Sequence, residues 1–105
     1  MDKTIIIDTS SNKETKIGLK VGDKTFWETK ESGILRSQAV LPMIDMMLKA
    51  QKLTIHDVCA VEVNSGPGSF TGLRVGIAIA NALGFSLKIP VNGKKIGEIE
   101  TPKYE

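Results

Sequence analysis

Two short stretches hold the residues best suited to chemistry. SGPGSFTGLRVG (65–76) sets Gly66, Gly68, Gly72 and Gly76 around a polar turn, between one apolar run and the next. A glycine turn between strand and helix often cradles phosphate, because its amides are free to face an anion. IIIDTS (5–10) ends in Asp8, Thr9 and Ser10, a carboxylate and two hydroxyls that could serve magnesium and phosphate or simply close a turn. The phosphate loops of known pattern are not matched. A Walker A loop follows its last glycine with Lys and Ser or Thr, whereas Gly72 is followed by Leu73 and Arg74. The dinucleotide fingerprint needs a glycine where Thr71 stands. His56 is the one histidine, in TIHD, and reads as a surface or capping residue; Cys59 is the one cysteine, in VCAVEV, and reads as a small core residue.

The elements that must position these residues follow from hydrophobic period. KTIIID (3–8) is a continuous apolar run, expected of a strand buried on both faces. TKIGLKV (15–21) alternates, Gly22 and Asp23 make a turn, and TFWETK (25–30) returns, so a three-stranded antiparallel meander is expected, with Trp27 covering the sheet. After a loop through Ser32 and Gly33, helical spacing runs over 36–52, with Pro42 near its start or kinking it. VCAVEVN (58–64) is a fourth strand, GLRVGIAIANALGFSL (72–87) a second helix, and Ile89, Pro90 and Val91 begin a fifth strand. Residues 1–92 are expected to form one lobe, and 93–105 a polar tail or edge strand. This order predicts an α/β fold with a mixed five-stranded sheet and two main helices, as in ribonuclease H-like and actin-like ATPase (ASKHA) lobes.

Both helices carry more apolar surface than one small sheet can cover. Gly68, Gly72, Gly76, Ala80 and Gly84 recur every fourth residue, so a stripe of small residues runs along the second helix. Interior glycine costs roughly 1 kcal/mol against alanine, and close approach to another helix or to the sheet is the usual compensation. In the first helix, Leu41, Ile44 and Leu48 form one line, and Met43, Met47 and Ala50 a second with Met46 beside it. A shared apolar patch offered to another protein is the reading that follows.

Bulk properties exclude several classes. The chain has 105 residues, 41% hydrophobic and 25% charged, and fits one ordinary globular domain. A net charge of +2, with 14 basic residues scattered among 12 acids, shows no concentrated basic face for nucleic acid. The opening apolar run is too short for a signal peptide or membrane span, and a soluble cytoplasmic domain is expected.

AVEVNSGPGSFTGLRVGIAIANALG, with IIIDTS before it and LPMIDMMLK between, resembles the bacterial TsaB (YeaZ) family of tRNA threonylcarbamoyladenosine biosynthesis proteins over about residues 3 to 92. The resemblance implies an actin-like fold and a non-catalytic subunit that supports threonylcarbamoyl transfer to tRNA. It implies docking on the catalytic relative TsaD, with the ATPase TsaE in the complex, a homodimer when alone, and tRNA contacted only indirectly. The interface would draw on Leu41, Met43, Met46, Met47 and Ala50 of the first helix and Gly72, Arg74, Val75, Gly76, Ile79, Ala80 and Leu83 of the second. Arg74 could equally pair with Asp45 or Glu62 of its own chain.

The family's second lobe is not found before Glu105, and the histidine pair that the resemblance assigns to TsaD has no counterpart in IPVNGKKIGEIE. No metal is therefore expected, and no cofactor beyond ADP or ATP within the complex. Asp8, Thr9, Ser10, Gly66, Gly68 and Ser69 could form a vestigial nucleotide site, but the plainer reading of Asp8–Ser10 as a hairpin turn is preferred, since no second lobe closes over them. A nucleotide-binding module and a glycoprotease-like peptidase remain the alternatives, the latter weakened by a lone histidine.

Overall fold

A computed structural model describes residues 2–31 and 36–103; the loop expected at Ser32 and Gly33 lies outside them. Strands β1 (Lys3–Asp8), β2 (Glu14–Val21) and β3 (Lys24–Glu31) form the antiparallel meander. Gly22 takes a positive φ of 61° in the two-residue turn between β2 and β3, a conformation glycine adopts without steric cost. Helix α1 (Arg36–Ala50) then crosses the sheet, a 3-10 turn spans Ile55–Asp57, and β4 (Ala60–Val63) pairs in parallel with β1. Helix α2 (Phe70–Leu87) follows. Strand order is β3-β2-β1-β4.

The expected fifth strand is reduced to one parallel bridge, Val61 to Val91. Pro90 has no amide to extend a ladder, and Asn92 and Gly93 turn away with φ of 52° and 73°. Within 93–103 the chain makes turns, closed by Lys94 on Val91 and Glu98 on Lys95, and no strand.

Strand period sends Ile5 and Ile7, Ile17 and Leu19, and Val61 and Val63 to one face, where all are buried under the two helices. From α1 come Val40, Met43, Ile44, Met47 and Leu48, and from α2 Leu73, Ile77 and Ala80. Each fully buried aliphatic side chain contributes about 1.5–3 kcal/mol. The opposite face carries Lys16, Lys20, Trp27 and Glu62, all exposed, with Ile6 only partly buried, so β1 is not buried on both faces as its apolar run suggested. Trp27 is half-exposed there and lies over Gly18, whose missing side chain makes room for the ring, with the Lys16 ammonium 4.9 Å from the ring centre.

Pro42 stands inside α1 and not at its start. It is exposed, so the carbonyl of Gln38 that loses its donor faces water. Among the described residues α2 is long and apolar enough, by length and composition, to cross a membrane, yet its glycine face is packed against the sheet. Cys59, expected in the core, is exposed. It precedes β4, and Val58, Val61 and Val63 take the inward positions around it.

Candidate functional site

The glycine turn closes where β1, β4 and α2 meet. Ser69 caps α2, its hydroxyl accepting from the amide of Gly72 at 3.2 Å, and its own amide donates to the carbonyl of Ser10 at 2.8 Å. Gly68 lies directly on Ser10, where a Cβ would come within 2.7 Å of the serine Cβ. The Asp8 carboxylate accepts from the Ser10 amide at 3.0 Å, the Ser10 hydroxyl at 2.6 Å and the Asn64 side-chain amide at 3.4 Å. Partial burial pushes this carboxyl upward, but the Ser10 hydrogen bonds, the Asn64 amide and the Lys16 charge outweigh it and hold it below the ordinary aspartate range. Asp8 and Ser10 thus form an Asx-type turn, as their residue types suggested. The six residues named for a nucleotide site do converge, with Thr9 buried one step inward and donating its hydroxyl to the carbonyl of Gly72.

Asn64 was not singled out from sequence, yet it organises the turn. Its oxygen accepts from the Gly66 amide at 3.0 Å and its nitrogen reaches the Ser10 hydroxyl at 3.1 Å. An asparagine ending a strand before a glycine turn was the available signal.

The small-residue stripe of α2 faces the chain's own sheet. A Cβ on Gly76 would sit 2.4 Å from the Thr9 hydroxyl oxygen and 3.3 Å from Ile7, and one on Gly84 would sit 2.5 Å from Val91. Gly72, Gly76 and Ala80 are therefore buried internal contacts and not an exposed docking strip, because only glycine and alanine let the helix approach the sheet this closely. Met43 and Met47 are also buried in the chain's own core.

What remains outward divides into two grooves on opposite flanks of α1. One, of about 480 Å³, lies between the helices and is lined by Leu41, Phe70, Arg74, Val75, Ala78 and Ile79. Leu41 is 51% and Phe70 57% exposed in it, and the Arg74 guanidinium stacks 5.2 Å from the Phe70 ring. Asp45, offered from sequence as a partner for Arg74, instead pairs with Lys49 at 2.9 Å. The other groove, of about 680 Å³, lies between β3 and α1 and takes in Phe26, Trp27, Met43, Met46, Met47 and Ala50. Met46 is 71% exposed. Leu83 is partly buried against the core.

His56 lies exposed in the 3-10 turn, and the neighbouring Asp57 carboxylate is committed to the amide of Thr54 at 2.8 Å in a capping box. Among the described residues no group of three or more His, Cys, Asp or Glu side chains is placed to hold a metal ion.

Comparison with known proteins adds to this geometry. Residues 34–93 match the family model described as TsaD, tRNA N6-adenosine threonylcarbamoyltransferase. The chain is 48% identical over 54 residues to the tRNA threonylcarbamoyladenosine biosynthesis protein TsaB of Buchnera aphidicola, covering 51% of this chain and 26% of that protein. The solved structure of YeaZ from Pseudomonas aeruginosa superposes with a TM-score of 0.80 at 28% identity, over 87% of this chain and 42% of that one. A second Pseudomonas aeruginosa structure, described as an uncharacterized protein with similarity to peptidase YeaZ, gives 0.82 at 27% identity, over 90% and 44%. The chain spans less than half the length of these relatives.

Proposed function

The chain belongs to the family described as TsaD, tRNA N6-adenosine threonylcarbamoyltransferase, as a TsaB/YeaZ-type protein, and we propose that it is a non-catalytic subunit docking on a TsaD-type catalytic protein in the cytoplasm. Its involvement in tRNA threonylcarbamoyladenosine biosynthesis rests on the TsaB relatives. The docking role rests on one observation: the groove between α1 and α2 leaves Leu41 and Phe70 more than half exposed beside Val75 and Ile79. Large apolar side chains clustered at a concave surface mark an interaction site more often than a free face. In the absence of the catalytic protein the same groove serves a second copy of the chain, and in the full assembly a TsaE-type ATPase joins and tRNA is reached through the partner.

A peptidase reading, which the name of one structural neighbour invites, has less support. His56 is exposed, and the acid beside it is occupied in capping Thr54, so among the described residues no hydrogen-bonded acid orients the ring as a base.

Light scattering coupled to size exclusion tests the docking role, on the chain mixed with the TsaD protein of its own organism. A one-to-one complex is expected, weakened at least tenfold by Leu41→Glu, a change at a half-exposed position that leaves the core intact. Two species that never co-elute, or a complex indifferent to Leu41→Glu, would overturn it. Gly76 is unsuited to this test, because any side chain there meets Thr9 first.

A further inference from the structure

Residues 94–103 follow the segment that the family model matches, and they fold back across the molecule. Their attachment is unusual for an ordered segment. Ile96 and Ile99 are 60% and 64% exposed, and Lys95, Gly97, Glu98, Thr101 and Lys103 are exposed as well. Almost no apolar surface is buried in holding the segment down.

The attachment runs instead through Glu100, 6% exposed. One carboxylate oxygen accepts from the Asn92 side-chain amide at 2.7 Å; the other accepts from the Thr101 amide at 3.0 Å and lies 3.6 Å and 3.9 Å from the ammonium groups of Lys103 and Lys94. Asn92 in turn clasps both backbone groups of Val63 in β4, at 2.8 and 3.0 Å. On the other side Asn81 of α2 clasps both backbone groups of Glu100, at 2.9 and 3.0 Å. Beyond this clamp the Lys103 amide donates to the carbonyl of Ser65 at 2.7 Å, and the Lys103 carbonyl stands 1.9 Å from where a Cβ on Gly66 would be. The segment therefore crosses directly over the glycine turn.

We infer that residues 94–103 are a strap latched by Glu100, which opens independently of the rest of the fold and, on opening, uncovers the glycine turn beside Asp8, Ser10 and Asn64. Segments with little buried apolar area and a few hydrogen bonds open locally at far lower free energy than the core, so breaking the latch acts on the strap first. Glu100→Gln is the sharpest cut. It keeps the side-chain shape, removes the charge facing Lys94 and Lys103, and sets an amide nitrogen against one of the two donors the carboxylate accepts from, the Asn92 side-chain amide or the Thr101 N–H.

Hydrogen exchange by mass spectrometry on the whole chain tests this, wild type against Glu100→Gln. The expected result is at least tenfold faster exchange in 94–103 together with faster exchange of the amides in 65–69, while β1, β2 and the middle of α2 keep their wild-type rates. Unchanged exchange in 94–103 would overturn the latch. So would acceleration shared by β1, β2 and α2, since Glu100 would then be an ordinary part of the core. A turn that stays as protected as in wild type would overturn the uncovering. Asn81→Leu breaks the clamp from the α2 side without touching the carboxylate and must reproduce the pattern.

Discussion

At the scale of single residues, the chain's most distinctive letters turn out to be about distance. Gly76 lets α2 come so close to β1 that a Cβ would meet the Thr9 hydroxyl oxygen at 2.4 Å, with Ile7 and Val63 next in line. That contact makes a counter-intuitive prediction. In an ordinary exposed helix Gly→Ala gains about 1 kcal/mol. Here the added methyl must push Thr9, which is buried and hydrogen-bonded to the carbonyl of Gly72, so Gly76→Ala should destabilise the chain by about 1–3 kcal/mol. Urea denaturation reads the sign. Thr9→Ala in the same chain should recover part of the loss, because the two substitutions share one contact. A more stable Gly76→Ala variant would mean that the helix stands further from the sheet than described.

At the scale of elements, α1 contains its own test. Pro42 interrupts the hydrogen bond to Gln38 in the interior of a 15-residue helix and is exposed, so it contributes no packing to offset the lost bond. Pro42→Ala should raise the unfolding free energy by about 1–3 kcal/mol, measured by urea denaturation; an unchanged or lower value would show that the ring packs where it is described as exposed. The elements also show what the letters could and could not tell. The meander was legible because Ile17, Leu19 and Val21 alternate with lysines and Gly22 fixes the turn, and both helices were legible from their apolar period. Which way the helices face was not. A stripe of small residues suits a sheet and a partner helix equally well, and of the second apolar line of α1 Met43 and Met47 proved to be core, packed on the sheet, while Ala50 and the neighbouring Met46 stay exposed. Cys59 was misjudged for a related reason: an apolar run does not say which residue precedes the strand. The Glu100 clamp was invisible, since it joins Asn81, Asn92 and Glu100 through side-chain bonds to backbone and to one another that leave no period in the sequence.

At the scale of the whole molecule, the two ends of the sheet are secured by different physics. The centre rests on aliphatic side chains from both helices, whose burial does not depend on pH. The end where β1 and β4 meet the glycine turn rests on two carboxylates. Asp8 ties β1 to Asn64, and Glu100 ties the strap to Asn92 and hence to β4. In both, burial pushes the carboxyl upward but is outweighed: at Asp8 by Ser10, Asn64 and Lys16, and at Glu100 by Asn92, the Thr101 amide, Lys103 and Lys94. Both therefore lie below their ordinary ranges, and the sign follows. A carboxyl whose folded value is depressed adds stability that is fully present above its unfolded value of about 4 and disappears as pH falls through the folded one. The urea midpoint should fall as pH is lowered from about 7 to about 3, with fluorescence of Trp27, on the far face of the sheet, reporting global unfolding. The single variant Asp8→Asn should start lower at neutral pH and lose less on acidification, since the substituted side chain cannot take up a proton there. If its midpoint falls as steeply as that of wild type, the acid sensitivity belongs to other carboxylates and not to Asp8.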